Sequence, residues 1–93
     1  MAFPRFSEIE IPLLRVLIEL GGSAAPKQVY PKVAAYFPDL TPEEQELRLE
    51  NFPSTRKWSN LVQWSRQRLV DSGDIDGSKR GVWTITPKGR SRV

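Results

Sequence analysis

Polar side chains suited to reading a nucleic acid fall on one face of a segment predicted to be helical, residues 55–72. Asparagine and glutamine each carry a donor and an acceptor that match the major-groove edge of adenine, and arginine matches that of guanine. The alternative interpretation is an ordinary solvated helix face. The predicted base contacts are Ser59, Asn60, Gln63, Arg66 and Gln67.

Positive charge is concentrated in the second half of the chain. Residues 1–50 carry five Lys and Arg against eight Asp and Glu, a net charge of −3, whereas residues 51–93 carry nine against three, a net charge of +6. A basic half indicates a polyanionic partner, with a solvated basic surface as the alternative. Arg68 lies nearer the apolar face and is expected to pair with an acidic residue of the first half. The predicted phosphate or minor-groove contacts are Arg56, Lys57, Lys79, Arg80, Lys88 and Arg90.

The residue types that the chain lacks exclude most catalytic chemistry. It contains neither cysteine nor histidine, which removes disulfides, thiolate metal sites, the commonest zinc ligand and the commonest general base. The carboxylates are scattered and form no obvious catalytic pair. We therefore expect no enzyme, no cofactor and no metal site.

No stretch of the sequence predicts a membrane span or a signal peptide. The most apolar run, residues 11–20, is short and is interrupted by Arg15 and Glu19. Together with the absence of cysteine, this favours a cytoplasmic protein without a membrane partner.

Three helices are predicted ahead of the polar face. The first spans about residues 7–20, with Ser7 as N-cap, Glu10 completing a capping box, and Gly21-Gly22 ending the helix. The second spans about residues 26–37, and an extra helix capped by Thr41 spans about 42–50.

The fourth predicted helix, residues 55–72, has one apolar side and must pack on that side. Trp58 lies on that side, and we expect it to be buried. Trp64 and Trp83 are also predicted to be structural, packing between this helix and the segment after it, because large aromatic side chains usually serve burial. Stacking of Trp64 or Trp83 on nucleobases is the alternative.

After Gly73 the apolar period changes from that of a helix to that of a strand. A glycine-containing turn at residues 76–81 is followed by Val82, Trp83 and Ile85, types that favour strands, so residues 74–86 predict a two-stranded hairpin. Thr86 is the expected N-cap of a last helical turn. The predicted fold is mainly α (α+β): one winged helix-turn-helix domain over residues 1–93, with three to four helices followed by a hairpin wing.

The C-terminal half resembles a known family. Pro53-Ser54-Thr55-Arg56-Lys57, then Asn60, Trp64-Ser65, Leu69 and Gly73, then Arg80-Gly81-Val82-Trp83-Thr84-Ile85-Thr86-Pro87-Lys88-Gly89, are similar to the N-terminal domain of Mrr-like restriction endonucleases. The resemblance implies a winged helix that binds double-stranded DNA on behalf of a separate nuclease domain, which cuts modified, for example methylated, DNA. The Asp…Glu-x-Lys metal site of that nuclease is absent from these 93 residues.

The leading hypothesis is thus a DNA-reading domain of a modification-dependent restriction system. A winged-helix transcription regulator is the alternative within DNA binding. A winged helix that mediates only protein contacts is the alternative from another class, and the basic second half argues against it.

Overall fold

A computed structural model describes residues 3–93, and it is mainly helical, with five helices and 53% of its residues in them. A small three-stranded antiparallel sheet completes the fold. In chain order the elements are α1 (Phe6–Glu19), β1 (Ser23–Ala24), α2 (Pro26–Ala34), α3 (Pro42–Glu46), α4 (Lys57–Asp71), β2 (Ile75–Asp76), β3 (Trp83–Ile85) and α5 (Pro87–Ser91).

The core lies between α1 and the apolar side of α4. Leu13 and Leu17 of α1 are fully buried, as are Val62 and Leu69 of α4. Ser65 is a buried polar residue on the same side of α4, and its hydroxyl donates hydrogen bonds to the carbonyls of Leu61 and Phe6. The apolar side of α4 is therefore occupied by packing, which leaves the opposite side for other contacts.

The predicted caps of the later helices are confirmed, whereas that of α1 is wrong. Thr41 Oγ1 accepts from the backbone N–H of Glu44, and Thr86 Oγ1 accepts from that of Gly89. Helix α1 begins at Phe6, and its N-cap is Arg5, whose side chain caps nothing. Ser7 already lies inside the first turn, because the N–H groups of Glu8 and Ile9 donate to the carbonyl of Arg5.

Two predicted helices are shorter than expected. Helix α2 ends at Ala34 instead of about residue 37, because residues 36 and 37 bond to carbonyls three positions back, in tight turns. Helix α3 ends at Glu46 instead of about residue 50. Beyond it, the N–H of Leu49 donates to the carbonyl of Thr55, and that of Lys57 donates to Leu47, so these backbone groups pair across a loop.

The predicted two-stranded hairpin is present as β2 and β3, and the sheet has a third strand, β1, that the prediction did not include. Strand β3 is central and pairs antiparallel with β2, aligning Ile75 with Ile85. It also pairs with β1, aligning Ala24 with Trp83. The short segment between α1 and α2 thereby anchors the C-terminal hairpin to the helices.

A cluster of ion pairs ties the C-terminal helix to the helical core. Glu10 of α1 accepts from Arg68 of α4 at 3.3 Å, which confirms the pairing expected for Arg68. Arg92 lies 3.6 Å from the other oxygen of Glu10 and donates to Asp74, which is 1% exposed. Burial opposes ionisation of Asp74, but hydrogen bonds from Ser72 and Arg92, with the positive charge of Arg92, outweigh it and hold its pKa below the ordinary value.

Candidate nucleic-acid interface

The outer side of α4 carries a stripe of side chains spaced by three or four residues, Asn60, Gln63, Trp64 and Gln67. Gln63, Trp64 and Gln67 are exposed, and Asn60 is half-buried. Positions separated by one turn lie on one side of a helix, so all four face the same region. Ser59 is half-buried on the flank of α4 that lies nearest Tyr30 and Arg56, and it lines a separate depression there.

Two of the three amides in this stripe are held in place by neighbours. Gln63 Nε2 donates to the Tyr30 hydroxyl of α2 at 2.8 Å, and Gln67 Nε2 donates to Asp71 Oδ1 at 3.0 Å. Asn60 makes no side-chain hydrogen bond with any residue in the range 3–93. Its carboxamide is therefore the one in the stripe whose donor and acceptor are both available to a ligand.

Arg66 lies at the edge of this stripe and contacts the sheet. Its guanidinium carbon is 5.8 Å from the ring centroid of Trp83, close enough for a cation–π interaction. Its Nε is buried and has no hydrogen-bond partner among the described residues. The Arg66 side chain is thus positioned against Trp83.

Two of the three tryptophans, Trp58 and Trp83, are buried. Trp58 is 2% exposed, and its Nε1 donates to the carbonyl of Tyr30 at 2.9 Å. Trp83 is 6% exposed and meets the Tyr30 ring edge-on, with centroids 5.9 Å apart. The prediction that Trp64 is a buried packing residue is wrong, since it is 55% exposed.

An open groove of about 390 Å³ lies beside the stripe. Its walls come from α4, from the first turns of α2 and from β3. The aromatic residues Tyr30, Trp64 and Trp83 line it together with polar side chains of α4. Sequence reasoning missed Tyr30, whose only signal was an aromatic residue beside the apolar positions of the second predicted helix.

The turn between β2 and β3 presents two cations. Lys79 and Arg80 are exposed, and neither forms a salt bridge within the part of the chain that the structure describes. The Asp76 carboxylate accepts hydrogen bonds from the hydroxyl and the N–H of Ser78, which lower the pKa of Asp76 and shape the turn. The start of the turn packs closely against α4. A Cβ on Gly77 would lie 2.8 Å from the Val70 side chain and 3.5 Å from the Arg66 side chain.

The other predicted phosphate contacts lie in two places. At the start of α4, Arg56 is paired with Glu46 at 3.1 Å, and Lys57 is half-buried. In α5, Lys88 donates through Nζ to the carbonyl of Ser72, and the exposed Arg90 lies over Gly22. Among the described residues, Lys79 and Arg80 thus lack the ion pair that Arg56 makes and the backbone hydrogen bond that Lys88 makes.

Within residues 3–93, no group of histidine, cysteine, aspartate or glutamate side chains is arranged to hold a metal ion. Over the same range, no helix has the length and apolar character needed to cross a bilayer.

Comparison with known protein families tests the family resemblance of the hairpin and α4. The profile of the Mrr N-terminal domain matches residues 6–93, nearly the whole chain. The chain belongs to the Mrr N-terminal domain family. Membership connects it with Mrr-type restriction endonucleases and confirms the resemblance drawn from the segments around Pro53, Trp64 and Arg80. Comparisons with curated proteins and with solved structures found no significant match.

Proposed function

We propose that this Mrr N-terminal domain is a winged helix that binds double-stranded DNA for a restriction endonuclease. In this proposal α4 is the recognition helix, and the β2–β3 hairpin is the wing. The observation that carries it is the pairing of an outward polar stripe on α4 with an unpaired cationic turn beside the same helix. A helix of this kind is the element that winged helices insert into the major groove.

The two parts of the surface have different roles in this proposal. The cations Lys79 and Arg80 contact phosphates or the adjacent minor groove, and so supply affinity on any sequence. The α4 stripe reads base edges, with Asn60 matched to the donor and acceptor of adenine. The chain itself acts as a binding module without catalytic chemistry, and cleavage belongs to a nuclease domain.

The domain is also proposed to read modified bases. Methyl groups on adenine and cytosine project into the major groove, where α4 lies in this arrangement. Discrimination by one such group is modest, on the order of 1 kcal/mol. Tighter binding of methylated than of unmethylated duplexes of matched sequence is the expected result. Asn60→Ala should reduce the preference for methyladenine, whose hydrogen-bonding edge Asn60 matches, while leaving the salt-dependent binding.

The test is the affinity of the purified chain for duplex DNA, measured by fluorescence anisotropy between about 50 and about 200 mM salt. The wild-type affinity should fall steeply with salt. The double variant Lys79→Ala, Arg80→Ala should bind all sequences more weakly. Its slope of log affinity against log salt should be shallower by roughly one unit for each phosphate that the variant no longer neutralises.

The matched control changes the charge equally at a different place. Arg5 and Arg15 are exposed beside and on α1, the helix that covers the buried side of α4. The variant Arg5→Ala, Arg15→Ala should bind almost as the wild type does. Equal losses in both double variants would show that only net charge matters, and no binding to any duplex would favour a protein-contact module instead.

A further inference from the structure

Trp64 is exposed in the middle of an otherwise polar stripe. It is 55% exposed, whereas Trp58 and Trp83 are 2% and 6% exposed. Its neighbours one turn away along α4 are Asn60 and Gln67, and all three line the same groove. Since the apolar side of α4 is already filled by Trp58, Val62 and Leu69, the Trp64 indole contributes mainly to the surface that meets a ligand.

The groove beside Trp64 has an aromatic wall that is held firmly. Trp83 contacts the Tyr30 ring in a T-shaped arrangement and also contacts the guanidinium of Arg66. The Tyr30 hydroxyl is in turn held by Gln63. A ligand in the groove therefore meets the exposed indole of Trp64, the aromatic rings of Tyr30 and Trp83, and the amide groups of α4. This combination suits a small apolar group attached to a polar edge.

The chemistry of the major groove contains one such group. Base edges there present hydrogen-bond donors and acceptors, and the C5 methyl of thymine or of 5-methylcytosine is the apolar exception on a pyrimidine. Amides do not favour a methyl group, but an indole face does. Asn60, one turn from Trp64, is matched to adenine, the partner of thymine.

We propose that Trp64 is the specificity-determining residue through which α4 contacts the C5 methyl group of a pyrimidine. This inference rests on the proposed function, because it requires α4 to lie in the major groove of a duplex. It assigns discrimination to an apolar contact of Trp64, whereas Asn60 reads hydrogen bonds.

The experiment uses a random-sequence duplex pool copied in three forms: with dTTP and dCTP, with dUTP in place of dTTP, and with 5-methyl-dCTP in place of dCTP. The whole chain is titrated with each pool, and the bound fraction is sequenced. Covering one methyl group corresponds to a change in affinity of about fourfold. A loss of that size in the uracil pool identifies thymine as the source of the methyl group, and a gain of that size in the methylcytosine pool identifies 5-methylcytosine.

Three variants separate this role from folding and from general affinity. Trp64→Ala should bind all three pools equally, and Trp64→Phe should retain part of the methyl preference. Phe52→Ala removes another exposed aromatic, 65% exposed and outside the groove, and should keep the full preference. The melting temperature of Trp64→Ala should match that of the wild type closely.

Several outcomes would overturn the inference. Duplex binding by the wild type that ignores both methyl groups would overturn the inference while leaving the proposed binding of duplex DNA intact. Equal weakening of Trp64→Ala on all pools, with the methyl preference retained, also contradicts it. Tighter binding to single strands that depends on Trp64 would indicate base stacking instead. Failure to bind any duplex would overturn the proposed function as well.

Discussion

The guanidinium carbon of Arg66 lies 5.8 Å from the ring centroid of Trp83, and this contact joins the middle of α4 to the central strand of the sheet. A planar guanidinium over an indole gains both a cation–π and a stacking interaction, and lysine does not reproduce the second. The orientation of the β2–β3 turn relative to the polar stripe of α4 depends in part on this one pair.

Arg66→Lys should therefore lower the free energy of unfolding by roughly 1 kcal/mol, although the charge is kept. The measurement is urea denaturation followed by circular dichroism. Arg68→Lys is the matched control on the same helix, since Arg68 makes an exposed ion pair with Glu10 that lysine can also form. Equal changes in the two variants would mean that the Trp83 contact adds no stability.

The three tryptophans should differ sharply in their effect on stability. Trp58→Ala and Trp83→Ala each remove a buried indole and should cost about 3–5 kcal/mol, a large part of the stability of a small domain. Trp64→Ala removes an exposed side chain and should cost less than about 1 kcal/mol. Thermal unfolding of the three variants tests this order, and a large loss for Trp64→Ala would refute it.

The stability of the domain should depend on pH through Asp74. Its pKa in the folded state is lower than in the unfolded chain, so its contribution is complete above about pH 4, the unfolded value. The contribution is lost as the pH falls through the folded value. Asp74→Asn should be less stable than the wild type at neutral pH, and the difference should shrink in acid.

Arg92→Gln provides a second variant for the same pH window. It leaves a buried carboxylate without its charged partner, which costs most where Asp74 is ionised. Its deficit relative to the wild type should also diminish as the pH falls below about 4. Urea titrations at several pH values measure both differences, and parallel profiles for all three proteins would exclude Asp74 as the titrating group.

Position 89 requires a glycine because α5 lies very close to the backbone of Asp74 there. A Cβ at this position would collide with the backbone carbonyl of Asp74 and would lie 2.9 Å from the Ile85 side chain. Gly89→Ala should therefore cost about 1–3 kcal/mol, despite the higher helix propensity of alanine. For a domain of this size, each 1 kcal/mol corresponds to a fall of about 4–8 °C in Tm.

The control for Gly89 is Ser91→Ala in the same short helix. Ser91 is exposed, and among residues 3–93 its hydroxyl bonds only to the local carbonyl of Lys88. The Tm of Ser91→Ala should differ from that of the wild type by no more than a few degrees. A stable Gly89→Ala protein would mean that α5 can move away from Asp74 without loss.

Local signals are sufficient to predict the number and order of the helices from the sequence, but not all of their ends and not the sheet partner. Thr41 and Thr86 indicate helix starts because each hydroxyl accepts a hydrogen bond from the backbone N–H three residues later. Strand β1 is only Ser23–Ala24, too short to show an alternating pattern, and its partner β3 lies about sixty residues later in the chain. Nothing local to residues 23–24 indicates that pairing.

The helical periodicity of α4 indicates that Trp64 is exposed, and the prediction of a buried Trp64 does not take it into account. At about 100° per residue, Trp64 lies about 120° around the helix from Trp58 and close to Asn60 and Gln67. The general tendency of tryptophan to be buried outweighed this position in the prediction. The end of α3 could not be predicted, because the bonds between Leu47, Leu49 and the residues at 55–57 compete with the helix only in the folded chain.

The central position of β3 also bears on how the protein is made. Ser23–Ala24 and Ile75–Asp76 are both synthesised before Trp83–Ile85, the strand with which each must pair. A nascent chain that has emerged from the ribosome only as far as residue 80 contains both α1 and α4, but the backbone of Ser23–Ala24 and of Ile75–Asp76 still lacks its strand partner and stays bonded to water. Residues 83–85 thus complete both strand pairings and bring Trp83 into the aromatic wall of the groove, so the sheet and this wall can form only after β3 is available.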